Sequence, residues 1–136
     1  MPANTTPIFP VAPNNPVSPK VLTANTALDG TGTTVLIFTA GANGALIESI
    51  RIVPLGANAA TVVRIFKNNG SDPSVAANNG LYLEARFLVS SLSQTQEGLS
   101  RTIPVNKAIN AGHKLYASVG TGVSAGFIIH VEAGDY

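Results

Sequence analysis

The sequence predicts an all-β fold, a sandwich, jelly roll or barrel of about eight strands behind an extended, proline-rich N-terminal arm. Two patterns carry the β assignment. From Lys20 onward, short runs rich in Val, Ile, Thr and aromatic residues are cut by Gly, Asn, Asp and Pro turns at regular spacing. No stretch shows a helical apolar period, and nothing alternates strand with helix as a βαβ unit would. A third pattern marks the arm: prolines stand at positions 2, 7, 10, 13, 16 and 19, and no charged side chain precedes Lys20.

The arm is residues 1–19 and the β domain residues 20–136. Proline fixes φ, removes a donor and biases its predecessor toward extended conformations, so Met1 to Pro19 should be extended or polyproline-like. Ile8-Phe9-Pro10-Val11 is an apolar cluster that a solvated linker would not need. It points to an arm that docks on a neighbour, with Pro7, Ile8, Phe9, Pro10 and Val11 as the partner-binding residues.

The body follows strand by strand. Val21 to Leu28 is expected as a first strand stopped by Asp29-Gly30, and Thr33 to Thr39 as a second stopped by Gly41-Ala42-Asn43-Gly44. Ala45 to Val53 is a third, in which Glu48 and Arg51 must find solvent or each other before Pro54 and Gly56 end it. Ala60 to Asn68 alternates Val62, Arg64 and Phe66 against Val63, Ile65 and Lys67. Asn69 to Asn79, with Asn-Gly and Asp72-Pro73, is a long exposed loop. In Leu81 to Val89 the odd positions Leu81, Leu83, Ala85, Phe87 and Val89 oppose Tyr82, Glu84, Arg86 and Leu88. Ser90 to Gly98 is a polar loop, Leu99 to Val105 a short strand, and Ile109 to Gly112 a turn before the strand Lys114 to Val119. Gly120 to Gly126 is expected as a hairpin turn into the last strand, Ala125 to Ala133.

Composition narrows the function. At 136 residues the chain forms one domain, able to bury roughly two thirds of the surface its unfolded state exposes. Eight Lys and Arg against seven Asp and Glu leave a net charge of +1, which provides no footprint for nucleic acid or anionic lipid. Charged residues are 11% of the chain, less than half the usual share of about 25%. The absence of cysteine removes disulfides, thiolate metal sites and thiol nucleophiles. Gly30 to Ile47 is uncharged, but four glycines break it into strand-sized pieces rather than a spanning helix. The start lacks the basic and apolar regions of a signal peptide, so cytoplasmic synthesis is expected.

No catalytic or metal constellation emerges. His113 follows a turn and His130 sits in an apolar run beside Ile128 and Ile129, neither with a Ser- or acid-containing signature around it. Two distant histidines and seven scattered acids have no ligand spacing. Gly120-Thr121-Gly122 through Gly126 places its third glycine one residue late for a dinucleotide loop, and Asp29-Gly30-Thr31-Gly32 lacks the lysine of a phosphate loop. Of the eight tyrosines and phenylalanines, five lie at apolar strand positions and are core rather than a sugar platform. The expectation is a non-enzyme with no cofactor, no metal and no small-molecule substrate.

A resemblance adds to this reading. Leu46-Ile47-Glu48-Ser49-Ile50-Arg51-Ile52-Val53-Pro54, Ala60-Thr61-Val62-Val63-Arg64-Ile65-Phe66, Ile109 through Thr121 and the closing Gly134-Asp135-Tyr136 resemble small structural proteins of tailed-bacteriophage virions. The similarity covers roughly Lys20 to Tyr136 and rests on packing and turn motifs. It implies a β-sandwich of jelly-roll type, assembled as a homotrimer, that decorates and cements the major capsid protein on the virion exterior after synthesis in the host bacterial cytoplasm. The resemblance also implies a tail-associated module; the alternative reading is a tail-associated adaptor or host-glycan-binding module, whose contacts would be the Asn-, Ser- and Gln-rich loops Asn69 to Asn79 and Ser90 to Gly98.

Overall fold

A computed structural model describes residues 9–89 and 94–136. Among the described residues there are eight strands: β1 (Ala12–Pro13), β2 (Val35–Thr39), β3 (Ala45–Pro54), β4 (Thr61–Asn68), β5 (Asn79–Phe87), β6 (Arg101–Ile109), β7 (Lys114–Val119) and β8 (Phe127–Asp135). They form two antiparallel sheets, ordered β1-β8-β3-β6 and β2-β7-β4-β5. Only β4 and β5 are both consecutive and paired; every other connection passes from one sheet to the other, which is the wiring of a jelly roll.

Alternation puts one side of each sheet into a shared core. Ile47, Ile50 and Ile52 of β3 with Phe127, Ile129 and Val131 of β8 face Val63 and Ile65 of β4 with Leu115, Ala117 and Val119 of β7. Phe87 and Phe127 meet across the two sheets with ring centroids 4.8 Å apart at 52°, a tilted contact that aromatic quadrupoles favour. In the second sheet, Val35, Ala117, Ile65 and Leu83 are neighbours in register and make an inward row. The next row, Leu36, Tyr116, Phe66 and Leu81, points outward. Phe66 is nonetheless fully buried and Tyr116 nearly so, and the loop 25–34 runs from beside Val119 of β7 to Asn79 of β5 across the second sheet.

That loop replaces the strand predicted over Val21 to Leu28. Val21 bridges Phe127 and Ala24 bridges Val119, after which the chain leaves the ladder. Asn25 is the cause: its Nδ2 donates to the carbonyls of Thr31 and Thr33 at 2.8 and 3.0 Å, and its Oδ1 accepts from the Ala27 amide. This local closure competes with strand pairing. At the loop's apex, a Cβ on Gly30 would stand 2.7 Å from the Asn79 Cβ, so the chain approaches β5 as closely as only glycine permits.

Three further predictions are corrected. Pairing shifts by one residue between Ile65 and Phe66, so Leu81 lies on the outer row opposite Phe66 rather than on the side of Leu83, and Val89 is past the strand and exposed. The sixth strand is displaced to Arg101–Ile109; it carries a bulge opposite Glu48, with Asn106 at φ 51°, a conformation asparagine tolerates. Gly120 to Gly126 is no hairpin, since it joins β7 in one sheet to β8 in the other. Glu48 and Arg51 are both exposed.

Candidate interaction surface

The described part of the arm runs antiparallel to β8 of its own chain, as the edge of the first sheet. Backbone bonds from Val11 N to Asp135 O (2.7 Å) and from Asn14 N to Ala133 O (2.9 Å), and a reciprocal pair between Val21 and Phe127, hold its two ends. Between them the ladder is completed by side chains: Ala133 N donates to Asn15 Oδ1 and Ile129 N to Ser18 Oγ, both at 2.9 Å. The prolines explain this substitution. A residue without an N–H cannot extend a central ladder but is tolerated on an edge, and between the prolines the Asn15 and Ser18 side-chain oxygens accept from β8 amides in place of arm backbone carbonyls. Asn14 then ties the arm to the second sheet, its Nδ2 donating to Thr39 O and to Asp135 Oδ1 at 2.9 Å each.

A backbone so fixed presents its apolar side chains to solvent. Phe9 is 70% exposed, Val11 81% and Val17 78%. Val11 and Pro10 border a groove of about 280 Å³ shared with Leu46, Glu48 and Glu132; Pro16 and Val17 border another of about 240 Å³ against Leu36 of β2. Phe9, Pro10 and Val11, predicted as partner-binding residues, therefore share one exposed edge with Val17, which the sequence reading did not single out. Pro7 and Ile8 lie outside the described residues. Val17 had a signal, since it follows Pro16 as Val11 follows Pro10.

The polar loops are less uniform than predicted. Asn69 to Asn79 contains a 3-10 turn, Ala76–Asn78, and is internally braced. Asn68 Nδ2 donates to Asn79 Oδ1 at 2.7 Å, Asn69 Nδ2 to Asn78 Oδ1 at 3.1 Å, and Asn79 Nδ2 to Pro73 O at 2.8 Å. The Ser74 amide, donating to Asp72, holds that carboxyl below its ordinary range, and Thr31 does the same for Asp29 through its hydroxyl and amide. Burial pushes the Tyr82 phenol up. In the Ser90 to Gly98 loop, residues 90–93 lie outside the described residues, and Gln94 to Gly98 border a shallow depression with Arg51 and Val53.

The histidines stay apart from any acid constellation. His130 is in register with Arg51 across β8 and β3, and His113 ends the turn into β7 with a buried Nδ1 that has no partner among the described residues. No group of three or more His, Cys, Asp or Glu lies within metal-binding reach among the described residues, and none of their helices is long and apolar enough to cross a membrane. No family model, curated protein or solved structure matches this chain.

Proposed function

We propose that this chain is a non-enzymatic virion structural protein of a tailed bacteriophage, a decoration protein that assembles with copies of itself, as a homotrimer, and cements the major capsid shell from outside. The observation that carries the reading is the arm edge: Phe9, Val11 and Val17 project from a backbone already pinned to β8. Apolar side chains on a preordered edge lose little entropy when a partner covers them. The scarcity of charge supports assembly, because each charge buried at a subunit face carries a desolvation cost. The resemblance of Lys20 to Tyr136 to phage structural proteins supplies the virion setting.

The test combines light scattering with cosedimentation on shells of the major capsid protein from the same genome. The wild-type chain should have a trimer's mass and sediment with shells. The triple variant Phe9→Ser, Val11→Ser, Val17→Ser should lose both while keeping the β-rich circular dichroism spectrum of a folded chain. Unchanged mass and binding in that variant would refute the arm's role, and a monomeric wild type that ignores shells would refute the whole reading. A tail-associated adaptor or glycan-binding role is the second reading, supported by the bracing of Asn69 to Asn79. A few copies at one vertex, rather than many over the shell, would select it.

A further inference from the structure

On the outer face of the second sheet, whereas the arm edges the first, the geometry points to a binding site for a carboxylate-bearing saccharide of the uronic-acid class. The register of β4 on β5 sets Arg64 opposite Glu84 and Val62 opposite Arg86, so the two arginines are diagonal neighbours on one face, within reach of a common ligand. Together with Thr26 from the overlying loop and Gly120-Thr121 after β7, they line a cleft of about 350 Å³, within the roughly 300–1,000 Å³ of small-molecule sites.

Arg64 is preplaced. Its Nε donates to Glu84 Oε1 at 2.9 Å and its side chain is only 17% exposed. A Cβ on Gly120 would stand 3.0 Å from its Nη1, so glycine leaves the room in which the guanidinium lies. Its Nη groups remain for a ligand, and Arg86 has no acidic partner among the described residues. Two guanidiniums and one carboxylate leave one net positive charge, which balances a monoanion better than a dianionic phosphate. The guanidinium fork matches a carboxylate bidentately. Thr26 and Thr121 in the lining supply hydroxyl-bearing side chains for ring hydroxyls, and Val62 in the lining supplies apolar surface for the ring's C–H face.

The experiment titrates the full-length, isotope-labelled protein with sodium glucuronate, glucose, inorganic phosphate and a glutamate-rich peptide, followed by amide shifts. Glucuronate should saturate shifts at Arg64, Arg86, Gly120 and Thr121, with glucose and phosphate at least tenfold weaker. Arg86→Gln and Arg86→Lys should each weaken glucuronate by about tenfold or more, in line with the loss of a charge-assisted fork. Gly120→Ala should weaken it by displacing Arg64 without removing charge; the melting temperature of each variant verifies folding. Glucose binding as tightly, phosphate binding as tightly, the peptide binding where glucuronate does not, or no saturation with glucuronate would each overturn the assignment. The arm triple variant should titrate like the wild type, which separates this site from the assembly role.

Discussion

Asn14 and Asp135, 121 residues apart in the chain, meet through a 2.9 Å hydrogen bond, and the same Asn14 amide group also reaches Thr39 O at 2.9 Å. Asp135 Oδ1 in addition accepts from the Gly41 amide at 3.1 Å. One side chain of the arm thus joins the last strand of the first sheet to the edge strand of the second. Here the arm closes the open side of the sandwich.

Replacing Asn14 by Ala removes both of those bonds, at a cost of about 1 kcal/mol for a partly exposed group. Ser18→Ala acts further along the seam, leaving the buried Ile129 amide without its acceptor, and should cost about 1–3 kcal/mol. Urea unfolding measures both. Native-state hydrogen exchange distinguishes them from general loosening: Ile129 should exchange faster in Ser18→Ala, whereas the β4 amides should keep their ranking. Equal acceleration throughout would show that the arm is not a separable edge.

Phe66 is fully buried although it belongs to the outward row of the second sheet. Phe66→Ala should therefore cost about 3–5 kcal/mol, as for a core phenylalanine. Leu81→Ala, in the same row but 44% exposed, should cost much less. Thermal unfolding of the two variants checks this. Similar small losses would mean that the loop 25–34 does not seal the face.

The local part of this architecture was legible in the sequence, and the nonlocal part was not. Thr61 to Asn68 shows as a strand because β-branched alternation between turn residues is a local signal. The bulge near Phe66 has no compositional mark, yet it moves Leu81 to the other side. Proline spacing reveals an extended arm, but its partner is β8, more than a hundred residues away, and nothing about Asn15 or Ser18 announces that they replace ladder carbonyls. That Phe9 and Val11 are apolar is read locally, but that they share an exposed edge with Val17 depends on where the arm lies against β8. The diagonal of Arg64 and Arg86 could not, since it exists only once the register of β4 on β5 is set.

Asn58 is a second polar anchor, nearly buried between β3 and β4. Its Oδ1 accepts from the amides of Ala125 and Gly126 at 3.1 and 3.0 Å, and its Nδ2 donates to Gly126 O at 3.1 Å. Asn58→Ala leaves the amides of Ala125 and Gly126 unpaired, while the Gly126 carbonyl keeps its bond from the Leu55 amide, so a loss of about 2–4 kcal/mol is expected from the summed desolvation of the two amides. Asn58→Asp keeps the acceptor and loses the donor, and should fall between wild type and Ala in a urea titration. An Asp variant worse than Ala would show that burial of charge outweighs the retained bonds.

Asp72 makes a prediction about pH. Its carboxyl is held below the ordinary range chiefly by the Ser74 amide, whose bond at 2.9 Å lies within the 69–79 loop. A folded pKa below the unfolded one means that the ionised form is favoured by the fold: the contribution is complete above the unfolded value and is lost as pH falls through the lowered one. Because Asp72 is fully exposed, the loss should be confined to the loop. A carboxyl and amide titration by NMR should show Asp72 titrating below an unstructured aspartate, with the Ser74 amide shift following the same curve. In Asp72→Asn the Ser74 shift should be flat through that range while the neutral amide oxygen still accepts the bond. An Asp72 midpoint at or above that of an unstructured aspartate would remove the hydrogen bond from the account of why this loop is ordered.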